Sequence, residues 1–229
     1  MDDRHGPLPA LLLVLTGVTG LVDAVSYLQL GHVFVANMTG NVVFLGFAFA
    51  DAAEFSISAS LAAMAAFLTG AVAGGRIGSS AGGHRARFLA IATGLEIALV
   101  GAALAVSMAG PGPDDGLVRY SLIVLLAAAM GLQNATARRL GVPDLTTTVL
   151  TVTLTGLAAD STLAGGKNAH PGRRLLATAT MFLGAAIGAL LVFHAGVVAV
   201  LALALALLVF NGIGSGRYWS SSAAWTAGA

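Results

Sequence analysis

The sequence predicts an all-α integral membrane protein: six transmembrane helices as a three-plus-three inverted repeat, each half with one re-entrant or broken segment. Three observations predict it. Hydrophobic residues make up 57% of the 229 and charged residues 9%, whereas soluble chains carry about 25% charged residues. The 11 Lys and Arg and 10 Asp and Glu cannot build the water-facing shell of a globule this size, and the mean hydropathy of +0.90 agrees. Apolar runs of about 20 residues, the length of a membrane span, recur along the chain. The two halves also resemble each other. A formal net charge of +1 removes a basic surface for nucleic acid, and the absence of Cys excludes disulfides, thiolate metal sites and cysteine nucleophiles.

The N-terminal MDDRHGPLP lacks the basic region and small-residue cleavage site of a signal peptide, so Ala10 to Leu30 reads as a retained span. His32 to Ala50 is apolar but interrupted. Val33 to Ala36 reads as an extended limb, Asn37-Met38-Thr39-Gly40-Asn41 as a polar break, and Val42 to Ala50 as a half-helix running back. Spans Ile57 to Arg76 and Phe88 to Met108 complete a first repeat over about residues 8–110. In the second, over about 116–212, the span Leu117 to Ala137 precedes an interrupted stretch, Leu145 to Leu163. There Pro143-Asp144 starts the limb, Thr146 to Val149 is extended, and Thr151 or Thr153 takes the capping position. Leu175 to Phe193 and Ala195 to Gly212 are the last two spans. Residues 1–213 thus form a single membrane domain, and 214–229 read as a tail with Trp219 and Trp225 at headgroup level.

Charge placement decides whether the interrupted stretches cross. If both cross, the basic residues split six to five between the two sides; if both return to their own side, ten of the 11 fall together and only Arg119 lies opposite. Lys and Arg of short loops stay cytoplasmic. Six spans with both termini in the cytoplasm follow.

The halves align at an offset of roughly 109 to 115 residues. Gly20-Leu21-Val22-Asp23-Ala24 matches Gly131-Leu132-Gln133-Asn134-Ala135, Met38-Thr39 matches Leu150-Thr151, and Phe67, Gly70 and Gly74 match Phe182, Gly184 and Gly188. Duplication of an odd number of spans inverts the second copy. The glycines at 70, 74, 184 and 188 have the small-xxx-small spacing of close helix packing.

Backbone that leaves the helix at membrane depth is buried in protein or lines a cavity. The two breaks aim half-helix N-termini, with unpaired amides and positive dipole ends, at the midplane, which suits an anion, a carboxylate or a neutral dipole. Asn37, Thr39, Gly40 and Asn41 on one side, with Thr148, Thr151 and Thr153 on the other, are the candidate binding residues. The competing reading makes them a structural plug. Asp23 and Glu96 lie deep in spans, where a charge costs about 3 kcal/mol, so each is a candidate coupling group. Asp23 has Asn134 as its repeat partner, with Gln133 adjacent, and inverted symmetry brings these toward one axis. No His pair has helical metal-ligand spacing, and neither HExxH nor GxSxG occurs, so no catalytic residue, metal or cofactor is expected.

Thr19-Gly20-Leu21-Val22-Asp23-Ala24-Val25-Ser26-Tyr27-Leu28, Gly31-His32-Val33-Phe34-Val35-Ala36-Asn37-Met38-Thr39-Gly40-Asn41, and Gly131-Leu132-Gln133-Asn134-Ala135 with Thr146-Thr147-Thr148 carry a family pattern. The chain resembles the YoaK-like family of bacterial membrane proteins, a domain of unknown function, over nearly its whole length. The resemblance leads to Thr-Gly-Thr where the chain has Thr151-Val152-Thr153. It implies a bacterial inner-membrane protein and brings no substrate with it.

The expected function is a small transporter or channel-like permease for a small solute, with protons as the candidate coupling ion. A membrane enzyme acting on a lipid or amphiphile through Asp23 and Glu96 is the second reading, and a structural or sensory partner of another membrane protein the third. The expected partners are the lipid bilayer and the solute, a second copy of the chain being compatible, with no nucleic acid.

Overall fold

The computed structural model describes residues 5–81, 83–143, 145, 150–166 and 171–227. It is all-helical. Among the described residues seven α-helices follow one another: α1 (Leu8–Gln29), α2 (Met38–Phe49), α3 (Ile57–Ser80), α4 (Arg85–Ala109), α5 (Gly116–Leu140), α6 (Leu150–Ala159) and α7 (Pro171–Gly216). Among the described residues there is no strand, only an isolated bridge between His84 and Ala227.

Local chemistry sets several ends. The side chains of Ser56, His84 and Asp115 accept the amides of Ala59, Arg87 and Val118, satisfying donors that a helix start leaves free. Gly141 ends α5 in the left-handed region, at φ 60°, with Arg138 and Arg139 in the last turn facing the negative end of the helix dipole.

Five of the helices are long and apolar enough to cross a membrane. At 46 residues α7 would be about 69 Å long if straight, more than twice a hydrocarbon core. It is not straight. Gly196 breaks it at φ 82° and ψ 176°. A Cβ on Gly188 would touch Leu21 and Ala24 of α1, while one on Gly214 would touch Leu11, nearer the start of that helix. A straight helix would carry residue 214 about 39 Å past 188. The two arms, 171–195 and 197–216, therefore fold back on each other.

The distribution of side chains is inverted relative to a soluble protein. Phe49, Leu117, Phe182, Phe193 and Phe210 are exposed, whereas Asp23, Asn41, Glu96, Gln133 and Asn211 are buried. An apolar exterior of this extent around a polar interior fits lipid, not water.

Small residues position the helices. Gly131 of α5 lies on the Phe67 carbonyl of α3, and Gly70 of α3 on the Ala128 carbonyl of α5. Gly20 of α1 lies on the Met181 carbonyl of the first α7 arm, and Gly184 of that arm on the Gly17 carbonyl. Gly74 meets Leu132 and Ala135 as Gly188 meets Leu21 and Ala24. In both pairs the contacts advance together along the two chains, so α1 runs parallel to the first α7 arm and α3 parallel to α5. On the second arm Gly212 faces Thr93 and Ile97, and Leu205 faces Gly101, so α4 and that arm are antiparallel. Helices α1 and α5 are the most deeply buried of the long helices and meet where the Gln133 amide donates to Thr19 Oγ1 (2.7 Å) and the Leu15 carbonyl (3.3 Å).

Three local expectations differ from what is found. Helix α2 starts at Met38, so Thr39, Gly40 and Asn41 form its first turn and not a break ahead of a helix at Val42; the unwound stretch ends at Asn37. Helix α6 is described from Leu150, which places Thr151 and Thr153 inside it and not at its cap. The segment after Gly216 packs back on the chain: Trp225 is buried against Gly6 and Tyr218, while Trp219 stays exposed. His84, Arg85 and Arg87 donate to the carbonyls of Ser221, Trp225 and Trp219, which fixes it.

Candidate functional site

Asn41, wholly buried on α2, accepts the Phe34 amide at Oδ1 (2.9 Å) and donates to the Phe34 carbonyl at 2.6 Å. The limb is not extended throughout, since the chain bends at Val35 and Ala36, and Asn41 gives it the hydrogen bonds that a strand partner would supply. Asp23 on α1 accepts the Ala36 amide at Oδ1, 3.0 Å away. Two side chains from flanking helices therefore supply the hydrogen bonds that lipid cannot. With the limb so held, Asn37 stands at the N-cap of α2 without a capping bond from its own side chain and is exposed.

Two cavities meet at that residue. The smaller, about 400 Å³, is lined by Asp23, Tyr27, Phe34, Asn37, Thr151 and Met181 among others. The larger, about 1040 Å³, lies between α2, α3 and α5; Asn37, Thr39, Gly40, Asn134, Arg138, Arg139 and Thr151 give its polar lining. Asn37 and Thr151 belong to both walls. The larger volume is at the upper end of small-molecule pockets. Tyr27, Phe34 and Phe44 stack beside it, with Phe34 and Phe44 centroids 5.7 Å apart.

The structure thus gathers Asp23, Asn37, Thr39, Gly40, Asn134 and Thr151 around connected space. Asn134 also donates to the Met130 carbonyl at 2.8 Å. Asn41 is buried in support of the limb, and Thr153 is buried on α6. Gln133 is occupied with α1, its Oε1 lacking a partner. Glu96 is buried on α4 with Oε1 unpartnered and lines neither cavity. Thr148 lies outside the described residues. Sequence reasoning missed Arg138 and Arg139 as lining groups. Their signal, adjacent Arg at the end of a span, reads equally as a topological charge.

An all-helical chain with an apolar outside and buried polar groups within is a transmembrane protein. Residues 11–213 match the model of the family described as "Protein of unknown function (DUF1275)", and the chain belongs to that family, as its motifs indicate. It is similar to "UPF0700 transmembrane protein YoaK" of Bacillus subtilis (strain 168), with 36% identity over 153 residues. That stretch is 66% of this chain and 65% of the relative, just under two thirds of its length. No solved structure matches.

Proposed function

We propose that the chain is a small-solute transporter or channel-like permease of a bacterial inner membrane, with six spans in a three-plus-three inverted repeat and both termini cytoplasmic. One observation carries it: Asn37 and Thr151, at the starts of short helices from opposite halves, share the walls of both cavities. Helices of 12 and 10 residues are about 18 and 15 Å long, half a hydrocarbon core, as re-entrant segments require. The positive dipole ends of such helices suit a solute at mid-depth.

Helix directions support the inversion. The first α7 arm is parallel to α1, α4 is antiparallel to the second arm, and the six residues between α4 and α5 make those two antiparallel neighbours. Helix α5, and α3 parallel to it, then oppose α1. The chain between α1 and α3 accordingly leaves and returns on one face, and that between α5 and α7 on the other. With no native Cys, single-cysteine labelling tests this. Glu54→Cys and Asp114→Cys are expected to react with an impermeant maleimide on intact cells, and Ser79→Cys and Gly172→Cys only after permeabilisation. Ser79 and Gly172 on opposite faces would refute the inversion.

Function is tested by flux into proteoliposomes, screened with small organic anions, cations and neutral polyols. Asn37→Ala, which removes a cavity-facing amide without stranding a partner, is expected to lower flux about tenfold, the scale of one hydrogen bond. Asp23→Asn keeps an oxygen for the Ala36 amide but has no proton to exchange. It is expected to retain downhill flux and lose accumulation driven by a pH gradient. Unaltered accumulation in that variant removes Asp23 from coupling, and absence of flux for every solute class removes the transport reading.

A further inference from the structure

The larger cavity is electrostatically one-sided. Arg138 and Arg139 line it, and no Asp or Glu does among the described residues. Among the described residues neither arginine has a hydrogen-bond or ion-pair partner, in contrast to Arg174, whose Nη1 is 2.8 Å from Asp160 Oδ2. Facing the C-terminal end of the α5 dipole needs only a nearby positive charge, not two guanidinium groups on one cavity. A third cavity, of about 720 Å³, shares Arg139 with it and is lined also by His5, His84 and Arg85, and its described lining likewise lacks Asp and Glu. Arg139 passes from one to the other over Gly78, where a Cβ would come within 2.7 Å of Nε. Arg85 is engaged with the carbonyls of Leu140 and Trp225, which leaves Arg138 and Arg139 as the uncommitted cations. Val43, Phe44 and Phe67 give the same cavity apolar wall.

We propose that this cavity binds an organic anion with an apolar body, a carboxylate or phosphate paired with Arg138 and Arg139 and its hydrocarbon or ring against Phe44 and Phe67. Guanidinium groups match planar and tetrahedral oxyanions in a bidentate fashion. Asn37, Asn134 and Thr151 line the same cavity and offer the anion polar contacts once it leaves the arginines for the short-helix starts. The inference rests on the transport reading only in making this anion the cargo.

The test is thermal unfolding of the whole protein in a neutral detergent, with hexanoate and hexyl phosphate as probes and hexyltrimethylammonium and hexanol as controls of equal chain length. The two anions are expected to raise the midpoint by several degrees in a saturable way that weakens with salt, and the controls to leave it unchanged. Arg138→Gln/Arg139→Gln is expected to abolish the rise and Arg139→Lys to keep part of it. An equal rise with the cation overturns the proposal on the native protein alone, as does an undiminished anion response in a folded double variant. In nanodiscs, a rise on replacing phosphatidylcholine by phosphatidylglycerol that needs the same arginines, without a response to the soluble probes, identifies a lipid headgroup as the source of the anion. Anion binding without flux upholds this site and removes the transport reading; flux without anion binding does the reverse.

Discussion

Gly131→Ala and Gly184→Ala are each expected to remove most of the folded protein. A Cβ on Gly131 would overlap the Phe67 carbonyl and reach the Ala71 amide at 3.0 Å, and one on Gly184 would overlap the Gly17 carbonyl. The obstacle in each case is backbone of a neighbouring helix, which has no rotamer to change. The helices must separate along their whole contact, and overpacking that costs about 1–3 kcal/mol in an adaptable core sits at or beyond the upper end here. Gly46 and Gly75 are internal controls: nothing lies within 4 Å of a Cβ at either, and alanine there is expected to gain up to about 1 kcal/mol of helix propensity. Monodisperse yield and thermal midpoint in detergent measure all four. A Gly131→Ala protein as stable as the native chain would contradict the α3–α5 packing.

Asn41→Leu is expected to be the most damaging single change among the polar residues. It keeps the volume but strands the Phe34 amide and carbonyl together, in a place neither water nor lipid can satisfy. At about 1–3 kcal/mol for each buried group, the loss is roughly 2–6 kcal/mol. Asn41→Asp retains an acceptor for the amide and loses the donor to the carbonyl, so about half that loss is expected. Asn37→Ala is expected to leave the midpoint within about 1 kcal/mol of native, because surface changes that break no bond are small. Thermal unfolding orders the three variants, with hydrogen exchange over residues 33–36 reporting release of the limb. Equal damage from Asn37→Ala and Asn41→Leu would return both to a common structural plug.

Much of this architecture was legible. Hydropathy located the apolar segments, including the pair on either side of Gly196, because lipid exposure demands about 20 consecutive apolar residues whatever the tertiary contacts. The polar interruptions were legible for the same reason. The roles within Asn37 to Asn41 were not: only the folded limb shows that Asn41 reaches back to Phe34 while Asn37 remains free to face the cavities. Nor could spacing reveal that Asp23 accepts an amide 13 positions on, at Ala36. The last segment was opaque because Ser, Ala and Gly carry no periodicity, and the groups that hold it, His84, Arg85 and Arg87, are 132 to 140 positions away.

The reversal at Gly196 bears on how the protein is made. A single residue at φ 82° joins two apolar arms, with no hydrophilic loop to be carried across on its own. On the proposed topology Arg173, Arg174 and Arg217 stand at the open end on the cytoplasmic face and resist translocation, so the arms are expected to enter the bilayer together as a hairpin. Insertion of this pair is then expected to be a single event, which waits for the chain as far as Gly216. A tag or reporter spliced in at 196 would split that event in two, leaving the first arm waiting in the membrane for its mate.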